Sequence, residues 1–332
     1  MFEKGFKEIC LVGYYGFGNI GDDAILISAL NEYTKAYDIY VRVLANKDPY
    51  LERMLKNFEL DSKVVIYDRW KSRDINDAIY YSDALVFGGG GIFQDKTSLK
   101  SFLYYFYLAL LAKMYKKPII IERNSIGPLN SKISKFLFNF VLQWAEKVSV
   151  RDNDSLNFLN QFYPKFSIKY SLKQDFVLSD ISSDIFKRSL LTEKIEIGKY
   201  DVLFILRNFS RIQEFANLIK ELNEKYKVKV IVFQENDVDD LKVYFSDIEY
   251  PGKGEIYKTL AIIQSSSLVI SNRLHGLIFS YLRNVECIGI SVDPKIEGFC
   301  KDYNIEFLDE KNPELINIIK EKINNKLEGI VY

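Results

Sequence analysis

The sequence predicts an α/β protein of two domains, each built on a mostly parallel, doubly wound sheet. In the first half, short apolar runs typical of buried strands alternate about six times with amphipathic helical stretches. The same alternation resumes near residue 201, and 332 residues are enough for two domains of ordinary size. Residues 163–197 are less periodic, so we place the boundary near Ser171, which gives domains of residues 1–171 and 172–332.

Each element is predicted from a local pattern of apolar and turn residues. Strands are expected where short β-branched or aromatic runs end at glycine or polar residues, and helices where apolar residues recur every three or four positions. The predicted strands cover residues 8–14, 39–44, 63–67, 84–87, 118–122, 148–150, 201–206, 228–233, 248–250, 268–270 and 287–290. The predicted helices cover residues 22–34, 75–81, 97–113, 131–145, a stretch ending at 162, 210–225, 254–264, a segment capped by Ser271, and 313–326.

Composition narrows the functional classes. The 45 basic and 45 acidic side chains balance, which gives no overall electrostatic basis for binding nucleic acid. Three cysteines, Cys10, Cys287 and Cys300, show no disulfide or metal pattern, and no secretory signal is visible, so we expect a cytoplasmic protein. The longest apolar run, residues 102–112, has about half the length of a bilayer span; it favours a core helix over an interfacial one.

The most informative stretch, residues 271–295, contains His275, the only histidine of the chain. This stretch is predicted to form a turn, a helix, a strand and a loop after the strand at 268–270. A helix that connects two strands of one sheet in this way makes the strands, here 268–270 and 287–290, parallel. If they are neighbours, Arg273 and His275 lie at the same carboxyl edge as the loop of Lys295, where open α/β sheets bind ligands. Free N–H groups of the first helical turn favour an anion there. The alternative is a buried histidine and two solvated cations.

Two glycine-rich loops follow strands of the first half. Gly16, Gly18 and Gly21 form a G-x-G-x-x-G pattern, but Asp22 and Asp23 follow it where a pyrophosphate would sit, and the second strand ends without an acid for a ribose. The pattern still predicts a sharp turn and a close approach, or a tight turn with Asp caps. Residues 88–91 are four glycines, which we interpret as a backbone surface for a ligand.

Cations also follow several predicted strands. Taken singly, each would be a solvated charge or a helix-end partner. Because the loops after strands in two facing Rossmann-like domains line one cleft, we interpret them as a set. The set comprises Arg123, Arg151, Arg207, Arg273 and Lys295.

Six segments follow one another along the chain: GYYGFGNIGDDAIL, GGGGIFQDKTS, SIGPL, SVRDNDS, SNRLHGLIF and GISVDPK. In this order they resemble the motifs of the polysaccharide pyruvyl transferases, with the CsaB-like branch that acts on bacterial cell-wall polymers as the nearest match. The resemblance runs from about residue 8 to about residue 299. It implies two Rossmann-like domains facing a cleft, like the GT-B glycosyltransferases. It also implies transfer of the enolpyruvyl group of phosphoenolpyruvate to two hydroxyls of one sugar, giving a pyruvate ketal and free phosphate.

The resemblance further implies site residues. His275 and Lys295 correspond to the expected catalytic pair, and Arg151, Arg207 and Arg273 to anion-binding positions, with phosphoenolpyruvate on the C-terminal domain and the acceptor on the N-terminal one. The other substrate-binding positions implied are Gly16, Gly18, Asn19, Gly21, Asp22, Gly89, Gly90, Gly91, Gln94, Asp95, Ser291 and Asp293. One departure is Asn124-Ser125, where the family usually has Gln-Gly, which bears on acceptor recognition. Neither a metal nor a cofactor is expected.

The implied acceptor is an N-acetylmannosamine residue of a lipid-linked wall-polymer precursor, which would bring the protein to the inner face of the membrane. The chemistry fits the residues, because phosphoenolpyruvate carries a carboxylate and a phosphate suited to arginine, and histidine is the usual acid-base near neutral pH. The main alternative is a GT-B glycosyltransferase using a nucleotide sugar, with residues 234–237 as the candidate ribose-binding loop. A dinucleotide-binding protein resting on Gly16–Gly21 is a third hypothesis.

Overall fold

The computed structural model describes residues 5–96, 98–179, 185–186 and 196–328. They form two compact units, the first of residues 5–17 and 22–179, the second of Gly18–Gly21 with residues 185–186 and 196–328. The described part of the first unit extends to residue 179, beyond the boundary predicted at residue 171. The reason is that residues 170–172 form the last strand of the first sheet and pair with residues 148–150.

The first unit contains a parallel sheet of seven strands. In chain order these strands are β1 (Glu8–Val12), β2 (Tyr40–Ala45), β3 (Val64–Asp68), β4 (Ala84–Gly88), β5 (Ile119–Asn124), β6 (Ala145–Val150) and β7 (Tyr170–Leu172). They lie side by side in the order β3-β2-β1-β4-β5-β6-β7, with every neighbouring pair parallel. The order reverses direction between β1 and β4, which is the switch point of a doubly wound sheet.

Helices connect the strands of the first sheet. They are α1 (Ile20–Asn31), α2 (Tyr50–Asn57), α3 (Ser72–Tyr80), α4 (Leu99–Met114), α5 (Lys132–Trp144) and α6 (Asn153–Phe162), with short 3-10 or π turns at Glu32–Ala36, Asp61–Lys63, Pro164–Lys169 and Phe176–Leu178. Ser98, Ser131 and Asp152 cap α4, α5 and α6, each accepting a hydrogen bond from a free N–H of the first turn.

The second unit contains a parallel sheet of six strands. These are β8 (Tyr200–Ile205), β9 (Val228–Ile231), β10 (Ile248–Glu249), β11 (Ser266–Ser271), β12 (Cys287–Ser291) and β13 (Glu306–Asp309), in the spatial order β10-β9-β8-β11-β12-β13. The connecting helices are α7 (Ile212–Leu222), α8 (Glu235–Leu241), α9 (Ile256–Gln264), α10 (Leu274–Leu282), α11 (Pro294–Asp302) and α12 (Leu315–Glu328).

The central strands read as unbroken apolar runs because helices cover both faces of each sheet. In β4 all five residues are buried, and in β11 five of six. One apolar cluster fills the first unit around Phe87, Phe93 and Phe138, and another fills the second around Phe204 and Phe215. The prediction of two doubly wound α/β domains is therefore confirmed. The predicted core helix, α4, buries Phe102, Tyr105, Leu108 and Ala109, and within the described residues no helix has the length and apolarity of a bilayer span.

Candidate active site

Three neighbouring strands of the second sheet, β8, β11 and β12, end at one edge. Ser271, the last residue of β11, stands opposite Ile205 at the end of β8 and opposite Gly289 in β12. The prediction that the strands before and after the His275 helix are parallel neighbours is therefore confirmed. Arg207 follows β8 by two positions, and Arg273 follows β11 by two, so both cations leave the same edge of the sheet.

A buried hydrogen-bond network fixes the turn between β11 and α10. The Ser271 hydroxyl accepts a hydrogen bond from Arg273 N–H at 3.0 Å. The neighbouring Asn272 side chain accepts from Arg207 N–H at 2.8 Å and donates to Arg207 C=O at 3.0 Å. Ser271 was predicted as the N-cap of the helix, which is wrong: it closes the strand, and the extended residue Arg273 precedes the first helical residue, Leu274. His275 lies in the first turn, as predicted.

Arg207 and Lys295 lie beside the same carboxylate, that of Asp293. Asp293 lies 4.0 Å from a guanidinium nitrogen of Arg207 and 3.7 Å from Lys295 Nζ. It also caps α11 by accepting Lys295 N–H at 3.2 Å. Arg207 and Lys295 are each 36% exposed at the side chain and Asp293 is 20% exposed, so the two cations can take an additional anion from solvent. Ser291, also on the predicted list, ends β12 and is half-buried.

Arg273 is bound to Asp237, a residue of α8. Burial raises the pKa of the Asp237 carboxyl above its ordinary value, although the adjacent Arg273 guanidinium acts in the opposite direction. The side chains are 17% and 13% exposed, so the pair is largely shielded from water. Sequence reasoning missed this pair and the role of Asn272, because each partner comes from another strand–helix unit.

The half-buried His275 imidazole lies against the backbone of Gly21. An ideal Cβ placed on Gly21 would stand 2.4 Å from His275 Nδ1, which no real side chain tolerates. The segment Gly18–Gly21 belongs with the second unit. It is fixed there by a hydrogen bond from Ile20 N–H to Phe233 C=O at 2.9 Å and by one from the Tyr250 hydroxyl to Gly18 C=O at 2.5 Å. The group that closely approaches this loop, as predicted, is thus the imidazole. The ring centres of His275 and Phe279 are 6.2 Å apart.

The remaining residues of this loop serve its turn. Asn19 accepts a hydrogen bond from Gly21 N–H at 3.0 Å and so closes the segment ahead of α1. Gly16, in the first unit, has φ +84°, and an added Cβ would stand 2.0 Å from the carbonyl oxygen of Asn46. Asp22 is half-buried in the first turn of α1, and an ideal Cβ on Gly90 would lie 3.6 Å from its carboxylate.

Protein side chains occupy the space beside the first two of the four glycines. An ideal Cβ on Gly88 would lie 2.4 Å from Leu11 Cδ1, and one on Gly89 would lie 2.5 Å from Ile25 Cγ2. Side chains of the sheet and of α1 therefore pack against these two glycines, and their interpretation as part of a ligand surface stays a prediction. Gly90 accepts a hydrogen bond from Ser125 N–H at 2.8 Å. Gly91 and Gln94 are half-buried.

Arg151 belongs to a buried network of the first unit. Its guanidinium binds Asp175 at 2.5 Å and the Ser125 hydroxyl at 2.8 Å, and Ser125 donates to Asp152 at 2.6 Å. Burial alone would lower the pKa of Arg151, but the carboxylates of Asp175 and Asp152 raise it above the ordinary value. The Arg151 side chain is only 6% exposed and its charge is balanced by Asp175, which favours a structural role; its predicted binding of an incoming anion stays a prediction.

Asn124 and Arg123, at the end of β5, also have structural roles. Asn124 is fully buried and donates to the carbonyls of Phe87 and Glu122 at 2.8 and 3.0 Å. Arg123 makes two hydrogen bonds to Glu32, at 2.9 and 3.1 Å, so this loop cation is paired as well. The unusual Asn124-Ser125 pair is therefore used within the fold, by β4 and by Arg151.

Asp95 anchors the start of α5 rather than facing outward. Its carboxylate accepts hydrogen bonds from Asn130 N–H at 2.7 Å and Ser131 N–H at 2.8 Å. Burial alone would raise its pKa, but these N–H groups hold the pKa of Asp95 below its ordinary value. A carboxyl with a lowered folded-state pKa contributes stability above the pKa of the unfolded chain, and the contribution is lost as pH falls through the folded-state pKa.

We therefore expect Asp95→Ala to lower the free energy of unfolding by about 1–2 kcal/mol at neutral pH. The reason is that two backbone donors lose their charged acceptor. The difference from the parent should shrink below the ordinary carboxyl pKa of about 3.9. Urea titrations at neutral and acidic pH measure both effects. Asp61→Ala, an exposed aspartate at a short 3-10 turn, is the control. A substrate effect with unchanged stability would contradict this role for Asp95.

Comparison with known proteins places these observations in a family. The family model described as Polysaccharide pyruvyl transferase matches residues 19–294. No match was found among the curated proteins. The fold resembles solved structures at low identity, including the UDP-GlcNAc 2-epimerase of Methanocaldococcus jannaschii in complex with UDP-GlcNAc and UDP, with TM-score 0.63, 11% identity and coverage of 96% of this chain and 93% of that one.

Two further structures show the same fold. The S. aureus MnaA–UDP structure matches with TM-score 0.64 and 11% identity over 97% of this chain and 90% of its own. A glycosyltransferase from Rickettsia africae matches with TM-score 0.58 and 12% identity over 98% and 89%. These likenesses support the predicted GT-B class of fold, in which two parallel-sheet α/β units recur.

Proposed function

Because the chain belongs to the polysaccharide pyruvyl transferase family, an enzyme family, we propose that it transfers the enolpyruvyl group of phosphoenolpyruvate to two hydroxyls of one sugar. The observation that carries the proposal is the edge formed by β8, β11 and β12 in the second unit. There, two part-exposed cations share one carboxylate, and the only histidine of the chain lies in the first turn of the adjacent helix α10.

The proposed binding step uses the cations of this edge. Phosphoenolpyruvate carries a carboxylate and a phosphate, and each needs N–H donors or positive charge when it leaves water. Arg207 and Lys295 are 36% exposed and lie 4.0 and 3.7 Å from Asp293, distances too long for strong hydrogen bonds. A phosphate arriving there can bind both cations, while Arg273 stays fixed by Asp237 as a positive charge behind them.

The proposed reaction balances as follows. The methylene carbon of phosphoenolpyruvate gains a proton, which makes the adjacent carbon electrophilic, and the first sugar hydroxyl bonds to that carbon. The C–O bond to phosphate then breaks with its electron pair on the oxygen, and the second hydroxyl forms the other ketal bond. The two sugar hydroxyls release two protons. One balances the proton that the methylene carbon takes up, and the other leaves with phosphate.

His275 is the group we assign to removal of a hydroxyl proton. The positive end of the helix dipole favours a neutral imidazole at this position, which is the form that accepts a proton. Lys295 would neutralise the departing phosphate. Contact of the ring with Gly21 limits its movement, so the base is held in one orientation before the sugar binds.

We propose that the acceptor is a sugar of a lipid-linked cell-wall polymer precursor, with N-acetylmannosamine as the first candidate. The support is the motif resemblance. The experiment incubates purified protein with phosphoenolpyruvate and candidate acceptors and follows phosphate release together with acceptor mass. Phosphoenolpyruvate is the only co-substrate in this proposal.

We expect Lys295→Met and Arg207→Met each to raise the KM for phosphoenolpyruvate by about tenfold to a hundredfold, because each removes a charged contact to the substrate. Steady-state phosphate release measures the effect. Lys322→Met is the matched control, since Lys322 is 34% exposed and paired with Glu306 in the same unit. Unchanged KM values in both variants would contradict the assignment of this edge to the anion.

The nucleotide-sugar alternative is less well supported by residues 234–237. Asp237, the carboxylate expected to hold a ribose, is engaged by Arg273 and lies inside α8. Calorimetry with UDP and with phosphoenolpyruvate separates the two hypotheses. Binding of UDP alone, weakened by Asp237→Asn, would favour the glycosyltransferase.

A further inference from the structure

Helix α4 exposes an apolar stripe on the side facing away from the sheet. The exposed residues are Leu99 (39%), Leu103 (38%), Tyr107 (39%), Leu110 (37%) and Met114 (65%). Their spacing of four, four, three and four positions places all five on one face of the helix. The opposite face packs in the core through Phe102, Tyr105 and Leu108, so the helix is apolar on two sides. A stripe of this kind on an exposed surface marks an interaction site.

The neighbouring helix α5 continues the same surface. Ile133 and Phe136 are 56% and 63% exposed. Ring contacts link Phe136 to Phe140 at 5.1 Å, Phe140 to Trp144 at 5.8 Å, and Trp144 to Phe106 of α4 at 5.9 Å. The apolar side chains of the two helices therefore form one continuous patch. We call it the α4/α5 face; its members are Leu99, Leu103, Phe106, Tyr107, Leu110, Met114, Ile133, Phe136, Phe140 and Trp144.

Every charged side chain on the two helices is a lysine. Lys100 and Lys113 of α4 and Lys132 and Lys135 of α5 are exposed, and residues 96–121 and 123–145 contain no aspartate or glutamate. In the part of the chain that the structure describes, none of these four lysines lies within 4.0 Å of a carboxylate. By contrast, lysines on the surface of the second unit such as Lys301, Lys320 and Lys326 each pair with a glutamate.

We propose that the α4/α5 face docks on an anionic membrane surface, with both helices lying in the plane of the bilayer interface. Apolar and aromatic side chains on one side of a helix, with lysines beside them and no acids, have the chemistry of interfacial helices. The lysines would lie near the anionic headgroups, to which polybasic segments are attracted. A second copy of the chain fits less well, because a two-fold interface would place these lysines opposite their own copies.

Sedimentation of the full chain with vesicles tests this docking. We expect binding to vesicles of phosphatidylcholine with phosphatidylglycerol, weaker binding to phosphatidylcholine alone, and loss of the difference in high salt. The double variant Leu110→Glu/Phe136→Glu should bind about tenfold less, as should Lys132→Glu/Lys135→Glu. Val243→Glu, at an apolar residue of the second unit that is 74% exposed, should bind like the parent.

Fluorescence supplies a second readout, which does not require the glutamate variants to fold. The chain has two tryptophans, Trp70 and Trp144, and Trp144 belongs to the α4/α5 face. In Trp70→Phe, the emission of Trp144 should shift to the blue on adding anionic vesicles. Failure of the parent to bind any vesicle would overturn the proposal. A constant emission of Trp144 during binding would also overturn it. The same holds for self-association of the chain that Leu110→Glu/Phe136→Glu abolishes while vesicles have no effect.

These vesicles contain neither phosphoenolpyruvate nor an acceptor. A negative result therefore leaves the proposed reaction untouched, and loss of enzyme activity in another variant leaves the docking untouched.

Discussion

Replacing His275 by alanine is expected to lower turnover by about a hundredfold to ten-thousandfold, because the proposed reaction loses its general base. The imidazole lies in the first turn of α10 against Gly21. The KM for phosphoenolpyruvate should change less than turnover, since Arg207 and Lys295 remain. Phosphate release at saturating substrate measures the effect, and thermal unfolding checks that the variant folds.

Two further variants make this result interpretable. Tyr281→Ala alters a 43% exposed side chain of the same helix and should retain turnover near that of the parent. Gly21→Ala keeps the imidazole but adds a methyl group whose ideal position is 2.4 Å from His275 Nδ1, so the ring must move and turnover should fall. Turnover of His275→Ala within a few-fold of the parent would remove His275 from the mechanism.

Replacing Arg151 by alanine is expected to lower the free energy of unfolding by about 3–5 kcal/mol, a large share of the 5–15 kcal/mol typical of a domain. The cause is Asp175, whose side chain is 5% exposed and would be left charged without its partner. The Ser125 hydroxyl would lose a donor as well. Denaturant unfolding, analysed for the first unit, measures the change.

Arg73→Ala is the control for this measurement. Arg73 lies 3.7 Å from Asp77, but its side chain is 90% exposed, and exposed pairs of this kind contribute at most about 1 kcal/mol. If Arg151→Ala instead keeps its stability and raises the KM for phosphoenolpyruvate, the structural role given to Arg151 is wrong, and its earlier interpretation as an anion-binding residue returns.

Both sheets were predictable because their central strands are buried on two faces. Runs such as residues 84–87 and 268–270 can satisfy so many apolar side chains only inside a covered parallel sheet. Two missed strands have weaker signals: β7 is three residues long, with one residue half-buried and two exposed, and β13 has no fully buried residue. The helix α2 was also missed, because its eight residues offer only about two turns of apolar periodicity.

The site was predictable where chain order determines position. Strand, turn and helix are consecutive at residues 266–282, so the sequence located Arg273 and His275 relative to the sheet edge. It did not reveal which cations are already paired, because Asp175 and Asp237 come from distant segments. The glycine patterns indicated positions where no side chain fits, but not which neighbour occupies the space. The neighbour is the His275 imidazole at Gly21 and Ile25 at Gly89.

The most direct test of the account is a paired measurement on one reaction mixture of protein, phosphoenolpyruvate and a lipid-linked sugar acceptor. The account predicts that phosphate released and acceptor modified rise together in a one-to-one ratio, that the modified acceptor carries the mass of a cyclic pyruvate ketal, and that His275→Ala slows both equally. Phosphate release without a ketal on any sugar, or transfer of a sugar from a nucleotide donor by the same protein, would contradict it.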